Sequence, residues 1–328
     1  MLKAQYNERG PVPQDVIDAV EFQTPELQPG EVLLAVLAAP INPSDVLTLT
    51  GEYGILPPLP AVGGNEGVGR VLEQGAGVEA PAVGQTVLLP VGAGSWSTHM
   101  VAAADELMPL PNEADAQQLA MMTVNPPTAS LMLSEFVDLK AGDWVIQNVA
   151  NSGVGAYLIQ FAKIRGFKTV NVVRRESAVA GVEELGADIV LVDGPDLAER
   201  VAEATGKATI QLGIDAVGGE ATNRLAECVG EGGTLVNYGM MSGEACVISP
   251  ASFVFRDVTL RGFWLAKWFQ KATAEQRMAV FGEVGELIAK GKLHTKVAAT
   301  YNVSEIKEAV AAAHAGGRNG KILLLPNG

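Results

Sequence analysis

The stretch Trp144-Val145-Ile146-Gln147-Asn148-Val149-Ala150-Asn151-Ser152-Gly153-Val154-Gly155 decides the fold of this chain. Its short apolar start, Trp144–Gln147, is typical of a buried strand, and residues 153–165 then carry apolar side chains at helical spacing. Glycines between a strand and a helix let the backbone approach a pyrophosphate held at the helix N-terminus. The segment therefore predicts the first strand, turn and helix of a nucleotide-binding sheet.

Strands and helices alternate downstream of this segment. Apolar runs that predict further strands occupy residues 169–173, 189–192, 210–216 and 234–238. Helices of this length between strands imply right-handed crossovers and a parallel sheet. The fold class is therefore α/β, with a doubly wound, Rossmann-type cofactor domain predicted over residues 121–266.

The remainder of the chain has a different pattern and predicts a second, mainly β domain. Residues 1–120 consist of short strands and turns, and the prolines at positions 40, 43, 57, 58 and 60 exclude long helices between them. A helix is predicted over residues 273–290 and a last strand over residues 321–326, which returns to the first domain. We therefore assign residues 1–120 together with 267–328 to this domain.

Composition narrows the classes of partner and the compartment. The formal net charge of -14 argues against nucleic acid and against an anionic membrane surface as partners. The two cysteines cannot form a disulfide framework, and no apolar run has the length of a membrane span. Without a signal peptide or a presequence at the N-terminus, we expect a cytoplasmic protein.

The end of the second predicted strand indicates which dinucleotide binds. NAD enzymes commonly place Asp or Glu there, whereas this strand runs into Arg174-Arg175. Two guanidinium groups can pair with a ribose 2′-phosphate, which favours NADPH. The alternative is a solvated basic pair, with Glu176 pairing to either arginine.

Metal ligands are missing from the positions where zinc alcohol dehydrogenases of similar architecture have them. The segment Gly63-Gly64-Asn65-Glu66-Gly67 resembles their glycine-histidine-glutamate motif, with Asn65 in place of the histidine. Their first cysteine ligand is also absent around residues 41–45, and the histidines at positions 99, 294 and 314 have no partner at metal-ligand spacing. We expect no metal.

Several segments together resemble the zinc-free medium-chain dehydrogenases/reductases, and within them the trans-2-enoyl-CoA/acyl-carrier-protein reductases of mitochondrial type. The segments extend over most of the chain and are residues 41–45, 51–54, 59–67, 124–126, 147–148, 151–155, 171–174 and 260–265. The resemblance implies a GroES-like catalytic domain beside the Rossmann domain. It also implies a homodimer, in which residues 258–263 form an edge strand that pairs across a two-fold axis.

The resemblance also implies the site residues. Tyr53 would be the catalytic proton donor, and Trp264 would wall the nicotinamide and help to orient the substrate, with core packing as the alternative. The residues that would contact NADPH are Asn125, Asn151, Ser152, Gly153, Val154, Arg174, Arg175, Tyr238, Gly239, Met240, Met241, Phe263, Leu265 and Lys321.

The implied reaction is reduction of the conjugated C=C bond of a trans-2-enoyl thioester, with hydride delivered to the β-carbon and a proton to the α-carbon. A phenol keeps its proton at neutral pH, so Tyr53 can act as the acid. Acyl carrier protein and coenzyme A both remain open as the thioester carrier. The alternatives are a quinone reductase or a reductase of small α,β-unsaturated carbonyls and, more remotely, a non-catalytic nucleotide-binding protein.

Overall fold

The structure is a computed structural model that describes residues 1–318 and 320–327. Within them lie sixteen β-strands, most of them short. In chain order these are β1 (Leu2–Tyr6), β2 (Ile17–Glu21), β3 (Glu31–Ile41), β4 (Ala61–Val62), β5 (Val68–Gln74), β6 (Thr86–Leu88), β7 (His99–Ala103), β8 (Met108–Leu110), β9 (Trp144–Gln147), β10 (Lys168–Val173), β11 (Ile189–Val192), β12 (Ile210–Asp215), β13 (Thr234–Asn237), β14 (Thr259–Gly262), β15 (Val297–Tyr301) and β16 (Lys321–Leu324).

Eleven α-helices lie in the same described residues, and most of them follow residue 115. They are α1 (Pro43–Thr50), α2 (Ala116–Leu119), α3 (Asn125–Met132), α4 (Gly153–Arg165), α5 (Val179–Glu183), α6 (Leu197–Ala204), α7 (Gly219–Cys228), α8 (Pro250–Phe253), α9 (Leu265–Lys271), α10 (Ala274–Ala289) and α11 (Ile306–His314). Short 3-10 turns occur at Pro13–Asp15, Ala104–Glu106, Glu176–Ala178 and Val303–Glu305. None of the described helices is long and apolar enough to cross a membrane.

The chain divides into two compact units. The first unit contains Met1–Val124 and Phe281–Gly328, and the second contains Asn125–Val280. The division within the C-terminal half falls inside α10, so that helix begins in the second unit and ends in the first. Our sequence-based domain boundaries lie at residues 120 and 266, four residues before the first division and 14 before the second (124 − 120 and 280 − 266).

The first unit is built on mainly antiparallel sheets. Its larger sheet has the strand order β15-β16-β3-β5-β6-β8, with β7 also paired to β3, and a second sheet has the order β2-β1-β4. Alternate residues of β3 are fully buried, as the period of a half-buried strand requires. The core lies between these strands and the apolar face of α11, which contributes Ile306, Ala309 and Val310.

The second unit is a parallel sheet with helices. Its strand order, β11-β10-β9-β12-β13-β14, is the doubly wound order in which the chain reverses direction between β9 and β12. All five strand pairs are parallel. In open sheets of this kind, ligands bind beyond the carboxyl ends of the strands at the reversal point. The predicted fold class, a Rossmann-type domain with a GroES-like domain, is confirmed by the family-model matches reported below.

Helix α1 is one of the elements that we did not predict from the sequence. We treated its prolines only as helix breakers, but Pro43 lies in the first turn, where its missing N–H costs nothing. The backbone N–H of Asn42 donates to Asp45 Oδ2 at 2.7 Å, and Gly51 ends the helix with a φ of 85°. The pattern Asn-Pro-x-Asp was therefore a readable helix start.

Candidate active site

The turn between β9 and α4 has the geometry of an anion cradle. The Ser152 hydroxyl accepts a hydrogen bond from the Gly155 N–H at 3.1 Å and so caps α4. A Cβ on Gly155 would lie 2.5 Å from the Ala150 carbonyl oxygen, so only glycine lets the helix start this close to the strand. Asn151 is exposed, Gly153 is half-buried and Val154 is buried. The four predicted residues, Asn151 to Val154, therefore form the N-terminus of the helix at the reversal point of the sheet.

A buried carboxylate, Asp215, organises the strand ends beside this turn. Its Oδ1 accepts from Asn148 Nδ2 at 2.6 Å and from the N–H groups of Val217 and Gly218, at 2.9 and 3.3 Å. Its Oδ2 accepts from the Thr222 hydroxyl at 2.6 Å and from Asn237 Nδ2 at 2.9 Å. One side chain thus ties together the carboxyl ends of β9, β12 and β13.

The segment after β13 is held against this arrangement. A hydrogen bond joins the Tyr238 and Ser152 side chains, and burial raises the pKa of Tyr238 above its usual range. A Cβ on Gly239 would lie 2.7 Å from the Ala216 carbonyl oxygen. Met240 and Met241 are exposed. Two predicted cofactor residues, Ser152 and Tyr238, are therefore in direct contact.

Arg174 and Arg175 follow the carboxyl end of β10, and both are exposed. No ion pair links either guanidinium group to Glu176 or to any other residue within 1–318 and 320–327. The structure therefore places two exposed cations where the second strand of the sheet ends, which is the position that selects the ribose substituent.

The other predicted residues of the second unit lie at the starts of helices or after β14. Asn125 begins α3 and is buried. The Phe263 N–H donates to the Asn237 carbonyl at 2.9 Å, and its ring makes an edge-on contact with Phe136, 6.0 Å between centroids. Trp264 is the half-buried N-cap residue of α9, and Leu265 is buried. Phe263 to Leu265 thus follow a parallel strand, as Arg174 and Tyr238 do, and lie at the same edge of the sheet.

Tyr53 belongs to the first unit and lies just beyond the end of α1. Its N–H donates to the Leu47 carbonyl at 3.1 Å, which fixes its backbone to the last turn of the helix. Its side chain is half-buried. The residues that follow form an apolar loop with Ile55, Leu56 and Leu59 exposed.

Lys321, a predicted cofactor contact, lies inside a polar cluster of the first unit. Only 5% of it is exposed, and its Nζ donates to Asn42 Oδ1. Asn42 Nδ2 donates to Glu66 Oε1 at 2.7 Å, and Asn65 Nδ2 donates to Asp45 Oδ1 at 2.6 Å. We call Asn42, Asp45, Asn65, Glu66 and Lys321 the Glu66 cluster.

Burial dominates the electrostatics of the Glu66 cluster. It raises the pKa of Glu66 to about 7 and that of Asp45 to about 6, against the opposing attraction of Lys321. It lowers the pKa of Lys321 to about 8. The attraction between Lys321 and the two carboxyl groups opposes these shifts in all three side chains.

Asn65, which stands where zinc enzymes have a histidine, is thus hydrogen-bonded to a carboxylate. Among the described residues, no group of three or more His, Cys, Asp or Glu side chains is arranged to hold a metal ion. Cys246 is exposed, and burial raises the pKa of Cys228 to about 12, so the Cys228 thiol keeps its proton near neutral pH.

Sequence reasoning missed Asp215 and the structural part played by Glu66. Asp215 had a usable signal, because it ends the fourth strand of the sheet and is followed by glycines at positions 218 and 219. Glu66 was quoted only as part of a motif that lacked its histidine. Its partners are 24 to 58 residues away in the chain, so no local pattern identifies them.

Family models match both units. The model described as alcohol dehydrogenase GroES-like domain matches residues 28–112, and the model described as zinc-binding dehydrogenase matches residues 153–281. The first lies within the first unit, and all but one residue of the second lies within the second unit.

The matches to similar proteins cover most or nearly all of the chain. A mitochondrial enoyl-[acyl-carrier-protein] reductase from Caenorhabditis elegans is 38% identical over 269 residues, which are 80% of this chain and 77% of the relative. The solved complex of Etr1p with NADP and crotonyl-CoA is 26% identical, with a TM-score of 0.88 and 99% of each chain covered. A mycobacterial quinone oxidoreductase is also 26% identical, with a TM-score of 0.84 over 99% of this chain and 100% of its own.

These comparisons correct one prediction and establish the family. The expected cytoplasmic location is wrong by this measure, because the worm relative and those from cattle and human are all named mitochondrial. The N-terminal segment on which we based that expectation carries no information about a leader. With 38% identity over four-fifths of its length to an enoyl-[acyl-carrier-protein] reductase, the chain belongs to the enoyl thioester reductase group of the zinc-free medium-chain dehydrogenases/reductases.

Proposed function

We propose that this protein reduces the conjugated C=C bond of trans-2-enoyl thioesters with NADPH. The observation that carries the proposal is the match over 99% of the chain to Etr1p, whose solved complex holds NADP and crotonyl-CoA. The protein is accordingly an oxidoreductase that acts on CH–CH groups. The strand order, the glycine turn and the exposed arginines are the features of this chain that suit the cofactor.

The second unit would hold the cofactor at the carboxyl edge of its sheet. The residues from Asn151 to Val154 would receive the pyrophosphate at the start of α4, where N–H groups and the helix dipole favour an anion. Arg174 and Arg175 would pair with the 2′-phosphate. Tyr238 to Met241 and Phe263 to Leu265 would border the same edge, because each segment follows a parallel strand.

Tyr53 would supply the proton. Bound NADPH supplies a hydride for the β-carbon, which leaves negative charge on the thioester oxygen and a need for a proton at the α-carbon. The Tyr53 hydroxyl donates that proton, and its backbone hydrogen bond to Leu47 keeps the side chain at the end of α1. Trp264 and Asn125 would orient the nicotinamide side of the site, and Lys321 stays a predicted contact, although its ammonium already has a partner in Asn42.

We expect Tyr53→Phe to lower kcat for trans-2-hexenoyl thioesters by on the order of a hundredfold, since loss of one donor in a transition state costs about 3 kcal/mol. The measurement is NADPH oxidation, followed by absorbance. Coenzyme A and acyl carrier protein thioesters run side by side decide which carrier the enzyme accepts. Tyr301→Phe, a change of the same type in β15 of the same unit, is the matched control.

The second candidate function is quinone reduction, which the similarity to the mycobacterial quinone oxidoreductase favours. The same assay with a naphthoquinone separates the two. Turnover of the quinone that is indifferent to Tyr53→Phe, with none on enoyl thioesters, would leave only the zinc-free reductase fold and overturn the proposal.

We also propose that the protein is a homodimer that pairs β14 of two copies. β14 is the edge strand of its sheet, and three of its four residues are exposed. Before it in the chain lie Phe253, Val254 and Phe255, which are 57%, 65% and 80% exposed. An unpaired edge beside exposed apolar side chains favours self-association. Sedimentation equilibrium should give a mass twice that of the 34.2 kDa chain. A mass equal to that of one chain would contradict the proposed dimer.

A further inference from the structure

We propose that Glu66 is a positioning residue for enoyl reduction, which holds in place the two segments that lead to Tyr53 and to Asn125. The inference rests on the proposed function, because that function assigns roles to both residues. Glu66 lies between β4 and β5, is fully buried, and is not itself a predicted contact of substrate or cofactor.

One carboxylate oxygen of Glu66 fixes the chain just before Asn125. Glu66 Oε2 accepts from the N–H groups of Thr123 and Val124, at 3.0 and 2.9 Å. Asn125 is the next residue and the first of α3. Because two consecutive peptide groups are held by a single buried atom, the backbone that leads into Asn125 has little freedom to shift.

The other carboxylate oxygen fixes the start of α1. Glu66 Oε1 accepts from Asn42 Nδ2 at 2.7 Å, and Asn42 is the N-cap residue of α1. Tyr53 lies three residues beyond the far end of this eight-residue helix, and its N–H donates to the Leu47 carbonyl. The helix is a rigid connection between Glu66 and the predicted proton donor.

The orientation of the Asn42 amide makes the carboxylate irreplaceable by an amide. Lys321 Nζ donates to Asn42 Oδ1, so the Nδ2 group must face Glu66. Glu66 is therefore surrounded by donors on both oxygens. A glutamine can accept from Thr123 and Val124 only by turning its NH2 towards Asn42 Nδ2, where two donors would face each other.

Glu66→Gln should lower kcat by on the order of ten- to a hundredfold, because displacement of a catalytic group by about 1 Å has an effect of this size. We expect it to weaken NADPH binding, measured by fluorescence, by about tenfold through the Asn125 segment. Glu73→Gln, at an exposed position of β5, is the matched control and should leave both values at the wild-type level.

A second change distinguishes positioning from general damage. In Glu66→Gln/Asn42→Asp, the new carboxylate can accept from the glutamine NH2 while it keeps its contacts with Lys321 and with the Asp45 N–H. With saturating NADPH, this double variant should therefore have a kcat at least about threefold above that of Glu66→Gln alone. Wild-type kcat and wild-type NADPH affinity in folded Glu66→Gln would overturn the proposal, and so would a double variant no more active than Glu66→Gln.

The two proposals fail in different ways. If the wild type did not reduce enoyl thioesters, the proposed function would be wrong. The NADPH affinity of Glu66→Gln, compared with that of the wild type, would still test whether Glu66 positions the Asn125 segment. If Tyr53→Phe were fully active while Glu66→Gln was impaired, the role of Tyr53 would fall and that of Glu66 at the Asn125 segment would stand.

Discussion

The two units each bury a carboxylate, and they stabilise it in different ways. In the second unit, Asp215 accepts five hydrogen bonds, all from uncharged donors at the ends of β9, β12 and β13 and in the adjoining turn and helix. In the first unit, Glu66 accepts three hydrogen bonds and shares the Glu66 cluster with the Lys321 ammonium and a second carboxylate, Asp45.

The difference shows what each buried charge is suited to. Neutral donors at converging strand ends give Asp215 a complete set of hydrogen-bond partners, so this carboxylate stabilises the sheet by holding its strand ends together. In the Glu66 cluster, burial disfavours the charged forms, so it raises the pKa values of Glu66 and Asp45 and lowers that of Lys321. We infer that Asp215 mainly stabilises its unit, whereas Glu66 mainly positions residues.

The largest effect is expected in the second unit, on dinucleotide binding by Arg174 and Arg175. Neither arginine is among the hydrogen-bond partners of Asp215. Arg174→Ala/Arg175→Ala should weaken NADPH binding by on the order of a hundredfold and leave NADH binding little changed, because only NADPH has the 2′-phosphate. Titration of both dinucleotides by fluorescence measures this. The control is Lys140→Ala, which removes a charge at a 70% exposed side chain of the same unit. Equal losses for both dinucleotides would contradict the assignment.

A smaller effect separates the two carboxylates directly. Asp215→Asn should lower the free energy of unfolding by about 2 kcal/mol, because its new NH2 group would face donors that the carboxylate satisfied. Glu66→Gln should lower the free energy of unfolding less at pH 7.5. It also loses one acceptor, but it removes a buried charge, which offsets part of that cost. Chemical denaturation of both variants measures the difference.

The pH dependence of the same experiment sharpens the result. A carboxyl with a pKa raised to about 7 contributes stability below its unfolded pKa of about 4.5, and the contribution is lost as pH rises through 7. The wild type should therefore lose at least about 1 kcal/mol relative to Glu66→Gln between pH 5 and pH 7.5. A difference that stays constant over this range would show that Glu66 does not titrate there, and the contrast with Asp215 would then rest on hydrogen bonds alone.

Local patterns predicted the second unit well. Trp144–Gln147, Gly153–Arg165 and Ile189–Val192 have the predicted bounds, because a buried strand and a capped helix are each specified by residues close in sequence. The first unit was less readable, since its strands are short and its one early helix begins with a proline. The boundary within α10 was also unreadable, because a continuous helical pattern gives no sign that a helix changes unit.

The candidate site was predictable only in part, for a similar reason. The glycine turn and the two arginines follow from position in the sheet, and Tyr53 came from family resemblance. Six of the eight hydrogen-bond partners of Glu66 and Asp215 are 7 to 67 residues away, and Lys321 reaches Asn42 across 279 residues. Contacts over such distances in the chain depend on the folded topology, which local sequence patterns do not predict.

The place of β16 in the first unit has a consequence for biosynthesis. β16 pairs with β3 and with β15, so the last strand of the chain completes a sheet that the first 41 residues begin. The second unit, by contrast, is made of one continuous stretch. On the ribosome, the second unit can fold as soon as it emerges, while the first must wait for β16, and until then Ala39, Pro40 and Ile41 of β3 lack their β16 partners. Until β16 is synthesised, this end of β3 can pair with another chain instead.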